Sequence, residues 1–204
     1  MKLSNLLAVA GLLHSAVSDS DHSACQSISP GPVSDFQLPD FLPAASPFPD
    51  QVATETIRNT LALYSFALDG RNWETLSRVF APNARANYTE QYGTHYGVQN
   101  ITKLISEAIS VFKGTHHRYA TQHIVICSPT SAVSVTYLDA SHFLTPVVAP
   151  DTADISQVLF LTGRYEDTWT KLDDGSWKIL NRNFVFQGPA IGPDDSLPPS
   201  RESV

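Results

Sequence analysis

The stretch VQNITKLISEAISVFKGTHHRYATQHIVIC, Val98 to Cys127, changes its hydrophobic period halfway along. Up to Gly114 the apolar residues Ile101, Leu104, Ile105, Ala108 and Phe112 recur at three- and four-residue steps, which places them on one face of a helix over 98–112. Gly114 supplies the stop, since glycine accepts the left-handed backbone that closes a helix. Beyond it the alternation shortens to two, which predicts a strand over 116–127.

The same two-residue period continues C-terminally over 132–145, 156–171 and 176–187. Ser128-Pro129-Thr130 and Asp173-Asp174-Gly175 are the clearest tight turns between these strands. On the N-terminal side, Ile57, Leu61, Tyr64 and Leu68 mark a helix over 52–69 that stops at Asp69-Gly70. A short helix follows over about 72–80, with Trp73, Leu76 and Phe80 on one side, and Pro82 ends it. Arg85 to Tyr88 form a short strand. Helices first and a long meander afterwards predict an α+β domain, with three N-terminal helices packed on a curved antiparallel sheet. Such a sheet leaves a pocket at its open end.

The folded domain is expected over 51–187. Residues 19–50 hold six prolines (Pro30, Pro32, Pro39, Pro43, Pro47 and Pro49) and read as an extended arm that either wraps the domain or stays mobile; 188–204 form a similar tail. Lys2, the mainly apolar run Leu3 to Val17 and the small residues of Ala16-Val17-Ser18 read as a signal peptide over 1–18. The run is shorter than the roughly 18–20 residues of a membrane span. Secretion, or residence in a secretory lumen, is the resulting expectation. It makes Asn87-Tyr88-Thr89 and Asn100-Ile101-Thr102 candidate glycosylation sites at Asn87 and Asn100. It also turns the two cysteines, Cys25 and Cys127, into a candidate disulfide; two cysteines at this spacing offer no metal framework. The net charge of −7 and the lack of a basic stripe make nucleic acid a poor partner. No glycine-rich nucleotide loop is present, so no cofactor is implied.

Four groups able to move protons or polarise a carbonyl fall on four different elements: Asp69, Tyr88, His117 and His142. Asp69 ends the first helix, where it can hold a histidine by charge and hydrogen bond. In a regular strand His117 shares its face with Tyr119, Thr121 and His123, while His142 shares one with Leu138 and Ala140. A glycan on Asn87 requires that residue to face solvent, which turns Tyr88 inward. On the third long strand Arg164 and Glu166 take one face, and Tyr165, Asp167 and Trp169 the other; one of these sets looks into the pocket. Asn181, Asn183 and Gln187 share a polar face suited to a cavity mouth, whereas Lys178 and Arg182 read as surface charges. Tyr64, Trp73, Tyr119, His123, Glu166 and Asn183 are the candidate substrate-binding residues.

Asp69-Gly-Arg-Asn-Trp73, Phe80-Ala-Pro82, Arg85-Ala-Asn-Tyr88, Thr115-His-His117, Gly163-Arg-Tyr-Glu-Asp167 and Trp177-Lys-Ile179, in this order and spacing, resemble the SnoaL-like branch of the NTF2-like superfamily over about Thr56 to Phe186. Within that branch the pattern is similar to the scytalone dehydratase family. The resemblance implies a cone-shaped barrel, a tendency to dimerise, and catalysis without a cofactor. It implies His117 as general base and acid, His142 as a second pocket histidine, Asp69 as their support, and Tyr88 as one of two tyrosines polarising a carbonyl through water. The second family tyrosine falls on Leu68, and the family's substrate-binding asparagine falls near Glu166. The implied activity is dehydration, double-bond isomerisation or ring closure of an apolar polycyclic or enone-like metabolite in secondary-metabolite biosynthesis. A shape-driven pericyclase and a secreted, non-catalytic ligand-binding protein are the alternatives, because fold alone does not decide function.

Overall fold

The computed structural model describes Cys25 and residues 31–42, 44–146 and 154–193. The expected signal peptide, and all of the tail beyond 193, lie outside the described residues.

Six strands form one open sheet in the order β2-β1-β6-β5-β4-β3: β1 Phe80–Asn87, β2 Thr94–Tyr96, β3 Gly114–Ser128, β4 Ser131–Phe143, β5 Val158–Lys171 and β6 Trp177–Phe186. The four long strands are a meander of antiparallel hairpins. The expectation of a purely antiparallel sheet is corrected at one pair, because β1 runs parallel to β6. No tight turn joins these two strands, so no hairpin imposes the antiparallel sense on them. The short β2 and the one-turn helix α4, Thr89–Tyr92, are additions to the sequence reading.

The main helices are α2, Gln51–Asp69, and α5, Val98–Ser110. Asp50 caps α2 by accepting a hydrogen bond from the Ala53 amide. The short second helix is a 3₁₀ turn, Trp73–Thr75, running into α3, Leu76–Val79. It ends three residues earlier than Pro82, which lies within β1 where the pairing register breaks between Phe80 and Arg85. Proline has no amide hydrogen for the ladder, and an irregular stretch is where a strand tolerates it.

Ile57, Leu61, Leu76, Phe80, Ile101, Ile126, Trp169 and Ile179 pack between the helices and the inner face of the sheet. A second, smaller core lies on the outer face, where Val125, Cys127, Val133 and Val135 meet Leu38 and Cys25 from the N-terminal arm. The described part of the arm therefore wraps the sheet, and it includes a helical turn, α1, Leu38–Phe41, rather than being extended throughout. Cys25 and Cys127 are bonded, with an S–S distance of 2.04 Å. The Val33 amide donates to Glu166 Oε2 at 3.0 Å, and Arg164 Nη2 donates to the Val33 carbonyl at 2.8 Å. Arg164 also bonds the Asp35 carboxylate.

A register shift in β3 between Tyr119 and Gln122 changes which residues share a face. His117 and Tyr119 lie inward, as do Ile124 and Ile126 further on, while Val125 and Cys127 face outward. His123 therefore joins the outer set, opposite Val135, and does not share the face of His117 as a regular strand would require.

Candidate active site

The last residue of α2 is Asp69, and the chain turns sharply after it through Arg71, whose φ is 56°. That turn lays the carboxylate against the start of β3. Asp69 Oδ1 accepts a hydrogen bond from His117 Nδ1 at 2.7 Å and from the Thr115 hydroxyl at 2.9 Å. Asp69 Oδ2 accepts the His117 backbone amide at 3.0 Å. Arg71 Nη1 donates to Thr115 Oγ1 at 2.8 Å. Because a guanidinium can only donate, the Thr115 hydroxyl must pass its own proton on to Asp69. Asp69, which can only accept, receives every bond of the chain, and in its neutral form the His117 ring has its proton on Nδ1 and its lone pair on Nε2. Burial alone would raise the Asp69 pKa, but the bonds from His117 and Thr115 outweigh it and hold the carboxylate below its ordinary range.

The ring of His117 meets that of His142 edge-on, with centroids 5.4 Å apart, and Phe112 lies against His142 at 4.6 Å. His142 is buried, and its Nδ1 has no hydrogen-bond partner. Burial, aided by repulsion from His117, brings its pKa down to about 4, so it is a neutral imidazole at physiological pH.

Both histidines line a pocket between the inner sheet face and α5. Leu138 and Ala140 of β4 and Leu159 and Leu161 of β5 form one wall; Leu104, Ile105, Ala108, Ile109 and Phe112 form another. Tyr64, Leu68, Tyr88, Tyr92, Tyr165 and Phe184 complete the lining. The hydroxyls of Tyr64 and Tyr88 are hydrogen-bonded at 3.1 Å. Burial, followed by the effect of Tyr64, raises the Tyr88 phenol well above its ordinary pKa, which keeps it protonated and able to donate. An apolar cavity with two imidazoles and two paired phenols can take a proton from carbon and hold a negative oxygen.

The four expected chemical groups thus come together, with Asp69 holding His117 rather than His142. Tyr88 lies one residue past the end of β1 rather than inside a strand. Of the expected substrate contacts only Tyr64 lines the pocket. Trp73 is half-buried against the core at the 3₁₀ turn, and Tyr119 lies behind Tyr165, with ring centroids 6.2 Å apart. His123 is displaced to the outer face by the β3 irregularity. Glu166 is also on the outer face, where Arg164 Nε and the Val33 amide bind it. Asn183, like Asn181, accepts from Arg85 Nη1 instead of lining the mouth. Arg182, expected at the surface, is fully buried with Asp167 beneath the tyrosines. Tyr165, Phe184, Leu159 and Leu161 were not among the expected site residues; the inward set of Tyr165, Asp167 and Trp169 was the signal for the first. Among the described residues, no three His, Cys, Asp or Glu side chains are grouped to hold a metal ion. Among the described residues, too, no helix is long and apolar enough to cross a membrane.

A SnoaL-like domain model matches residues 52–183. An uncharacterized protein of Mycobacterium tuberculosis is 27% identical over 126 residues, covering 62% of this chain and 80% of that protein. A candidate scytalone dehydratase from Novosphingobium aromaticivorans superposes with a TM-score of 0.54 at 24% identity, over 71% of this chain and 94% of its own. The hexachlorocyclohexane dehydrochlorinase LinA-type3 of Novosphingobium barchaimii superposes with a TM-score of 0.58 at 14% identity, over 72% and 96%. At these identities the likenesses show the fold, which is the cone-like α+β fold of NTF2-like proteins.

Proposed function

This chain belongs to the SnoaL-like family, and from that premise we propose that it is a lyase, isomerase or cyclase of small-molecule biosynthesis that moves a proton next to a carbonyl without a cofactor. Two of the proteins sharing its fold are named for eliminations, of water and of hydrogen chloride. The observation that carries the reading is the 2.7 Å bond from His117 to Asp69 on the wall of an apolar pocket.

In this reading His117 Nε2 takes a proton from the carbon beside the carbonyl. Asp69 stabilises the imidazolium that forms, and its fixed orientation keeps the lone pair in the cavity. The electron pair left on carbon moves to the carbonyl oxygen, which accepts a hydrogen bond from the one proton that the Tyr64–Tyr88 pair leaves free to point outward. The family tyrosine missing at Leu68 is thereby replaced by one from the preceding turn of α2, since Tyr64 precedes Leu68 by four residues on the same helix face. For a dehydration the imidazolium returns its proton to the departing hydroxyl, and water leaves. For an isomerisation the proton goes back to a different carbon. His142, neutral, is a hydrogen-bond partner for the leaving or migrating group rather than a store of protons. The apolar walls favour an apolar polycyclic or enone-like substrate with few polar groups.

Passage through a secretory lumen belongs to the same reading. It is supported by the Cys25–Cys127 bond and by the exposure of Asn100 on α5.

Comparative metabolite profiling tests the function. The gene is deleted in its source organism and restored as wild type or as His117→Ala. An accumulated intermediate cleared only by the wild type is expected. Clearance by both forms points instead to a shape-driven cyclase, and an unchanged metabolite profile to a binding protein.

A further inference from the structure

Arg182 has no place in the chemistry described so far, yet it is fully buried in the middle of β6. Its Nε and Nη2 each donate to one oxygen of Asp167 at 2.8 Å. Using that edge of the fork turns Nη1 away from Asp167, and Nη1 has no hydrogen-bond acceptor. The guanidinium is stacked on Tyr165, 3.8 Å from the ring centroid, and on Tyr64 at 4.5 Å. The positive end of the buried ion pair thus faces the tyrosines, and Asp167 sits behind it. A buried pair of this kind contributes little net stability compared with apolar residues of the same volume. Its cost is unexplained by packing alone.

We propose that Arg182 is a positioning residue that polarises the Tyr64–Tyr88 phenol pair from beneath the pocket, with Asp167 fixing its orientation. It touches no substrate. A fixed cation behind a phenol strengthens the O–H as a donor, and it does so most in a site from which water is excluded. Burial alone would lower the pKa of the guanidinium, but Asp167 holds it well above its ordinary value, so the charge is permanent. Burial and Tyr64 push the Tyr88 phenol up, and the charge on Arg182 pulls it down. The catalytic consequence rests on the carbonyl clamp of the proposed function; the polarisation of the phenol does not.

The test places 3,5-difluorotyrosine at position 88 and follows its phenolate absorbance against pH, with no ligand present. It compares the native frame with Arg182→Gln/Asp167→Asn, a near-isosteric pair that leaves no single buried charge behind. Near-UV circular dichroism selects the folded variants. Arg182→Leu/Asp167→Leu serves as a second neutral frame should the first fail to fold. The phenol is expected to titrate about one pH unit or more higher in the neutral frame, and an unchanged titration overturns the proposal. A second measurement separates it from the clamp: the infrared carbonyl stretch of bound acetophenone in the native protein, Tyr88→Phe and the neutral double variant. A stretch in the double variant that lies between the other two supports the proposal. A stretch equal to the native one, where Tyr88→Phe does shift it, overturns the proposed role. If Tyr88→Phe leaves the stretch unmoved, the clamp fails, and the phenol titration alone decides on Arg182.

Discussion

The hydroxyls of Tyr64 and Tyr88 meet at 3.1 Å inside the pocket, although one belongs to the C-terminal half of α2 and the other immediately precedes the one-turn helix α4. Two phenols sharing one hydrogen bond leave a proton to donate outward, so they act as a unit on an acceptor placed against them. Tyr88→Phe is expected to lower turnover of the intermediate accumulated by the gene deletion about 10²–10³-fold, the usual loss for one oxyanion donor. Tyr64→Phe should cost less, and the double variant should cost less than the product of the two single losses. Steady-state rates for the three variants decide this; full additivity would show two independent tyrosines.

Asp69 is worth examining by a change that keeps its shape. In Asp69→Asn the Arg71–Thr115 bond still directs the Thr115 hydroxyl proton toward the residue-69 oxygen. The amide oxygen then stands at the Oδ1 position, still accepting from Thr115 and from His117 Nδ1, while the NH₂ group faces the His117 backbone N–H and the charge that stabilised the imidazolium is gone. Turnover should fall about 10²–10⁴-fold, with a fall in thermal midpoint from the lost bond to the His117 amide. Nitrogen-15 shifts of the His117 ring should report that Nδ1 keeps its proton in the variant, and unchanged turnover with that tautomer in place would contradict the account.

Much of this arrangement is legible in the sequence, and the rest is not, for definite reasons. The change of period at Gly114 fixes the order of helices and strands, and alternation along β4 places Leu138, Ala140 and His142 on one face, as observed. Alternation fails at His123 because the break in register between Tyr119 and Gln122 is invisible in residue types. It fails at Glu166 and Asn183 for a different reason. Polar residues on a strand can serve a pocket, an arm or a neighbouring strand, and nothing local says which. Glu166 serves the arm residue Val33, and Asn183 serves Arg85 on a strand nearly a hundred positions away. Arg182 reads as a surface charge because its partner Asp167 lies on another strand, and the pairing that unites them exists only in the folded sheet.

His142 makes stability depend on pH. Its pKa is lowered to about 4 in the folded chain against 6.5 for an ordinary histidine. Between those values the unfolded chain binds a proton that the folded chain refuses, so stability falls as pH drops from about 6.5 towards 4. Below about 4 both forms are protonated and this contribution changes no further. The full loss is about 3 kcal/mol. Denaturant midpoints measured from pH 7 to 5 should decline more steeply for the wild type than for His142→Leu, and parallel curves would contradict a buried neutral histidine.

The arm and the pocket lie on opposite faces of the sheet, which separates stability from activity. The Cys25–Cys127 bond spans 102 residues of sequence. Removing a native disulfide commonly costs about 2–5 kcal/mol, and long closed loops lie towards the upper part of that range. Cys25→Ser/Cys127→Ser should therefore lower the thermal midpoint by several degrees. It should also expose the arm near Val33 to limited proteolysis, since the arm is otherwise held by Arg164, Glu166 and the small outer core. Asp69, His117 and Tyr88 depend on none of those contacts, so turnover below the melting range should stay within about threefold of the wild type, well under the tenfold that 1.4 kcal/mol represents. A large loss of activity in a protein that is still folded would show that the arm reaches the pocket through the sheet, and the two faces would then have to be treated as one mechanical unit.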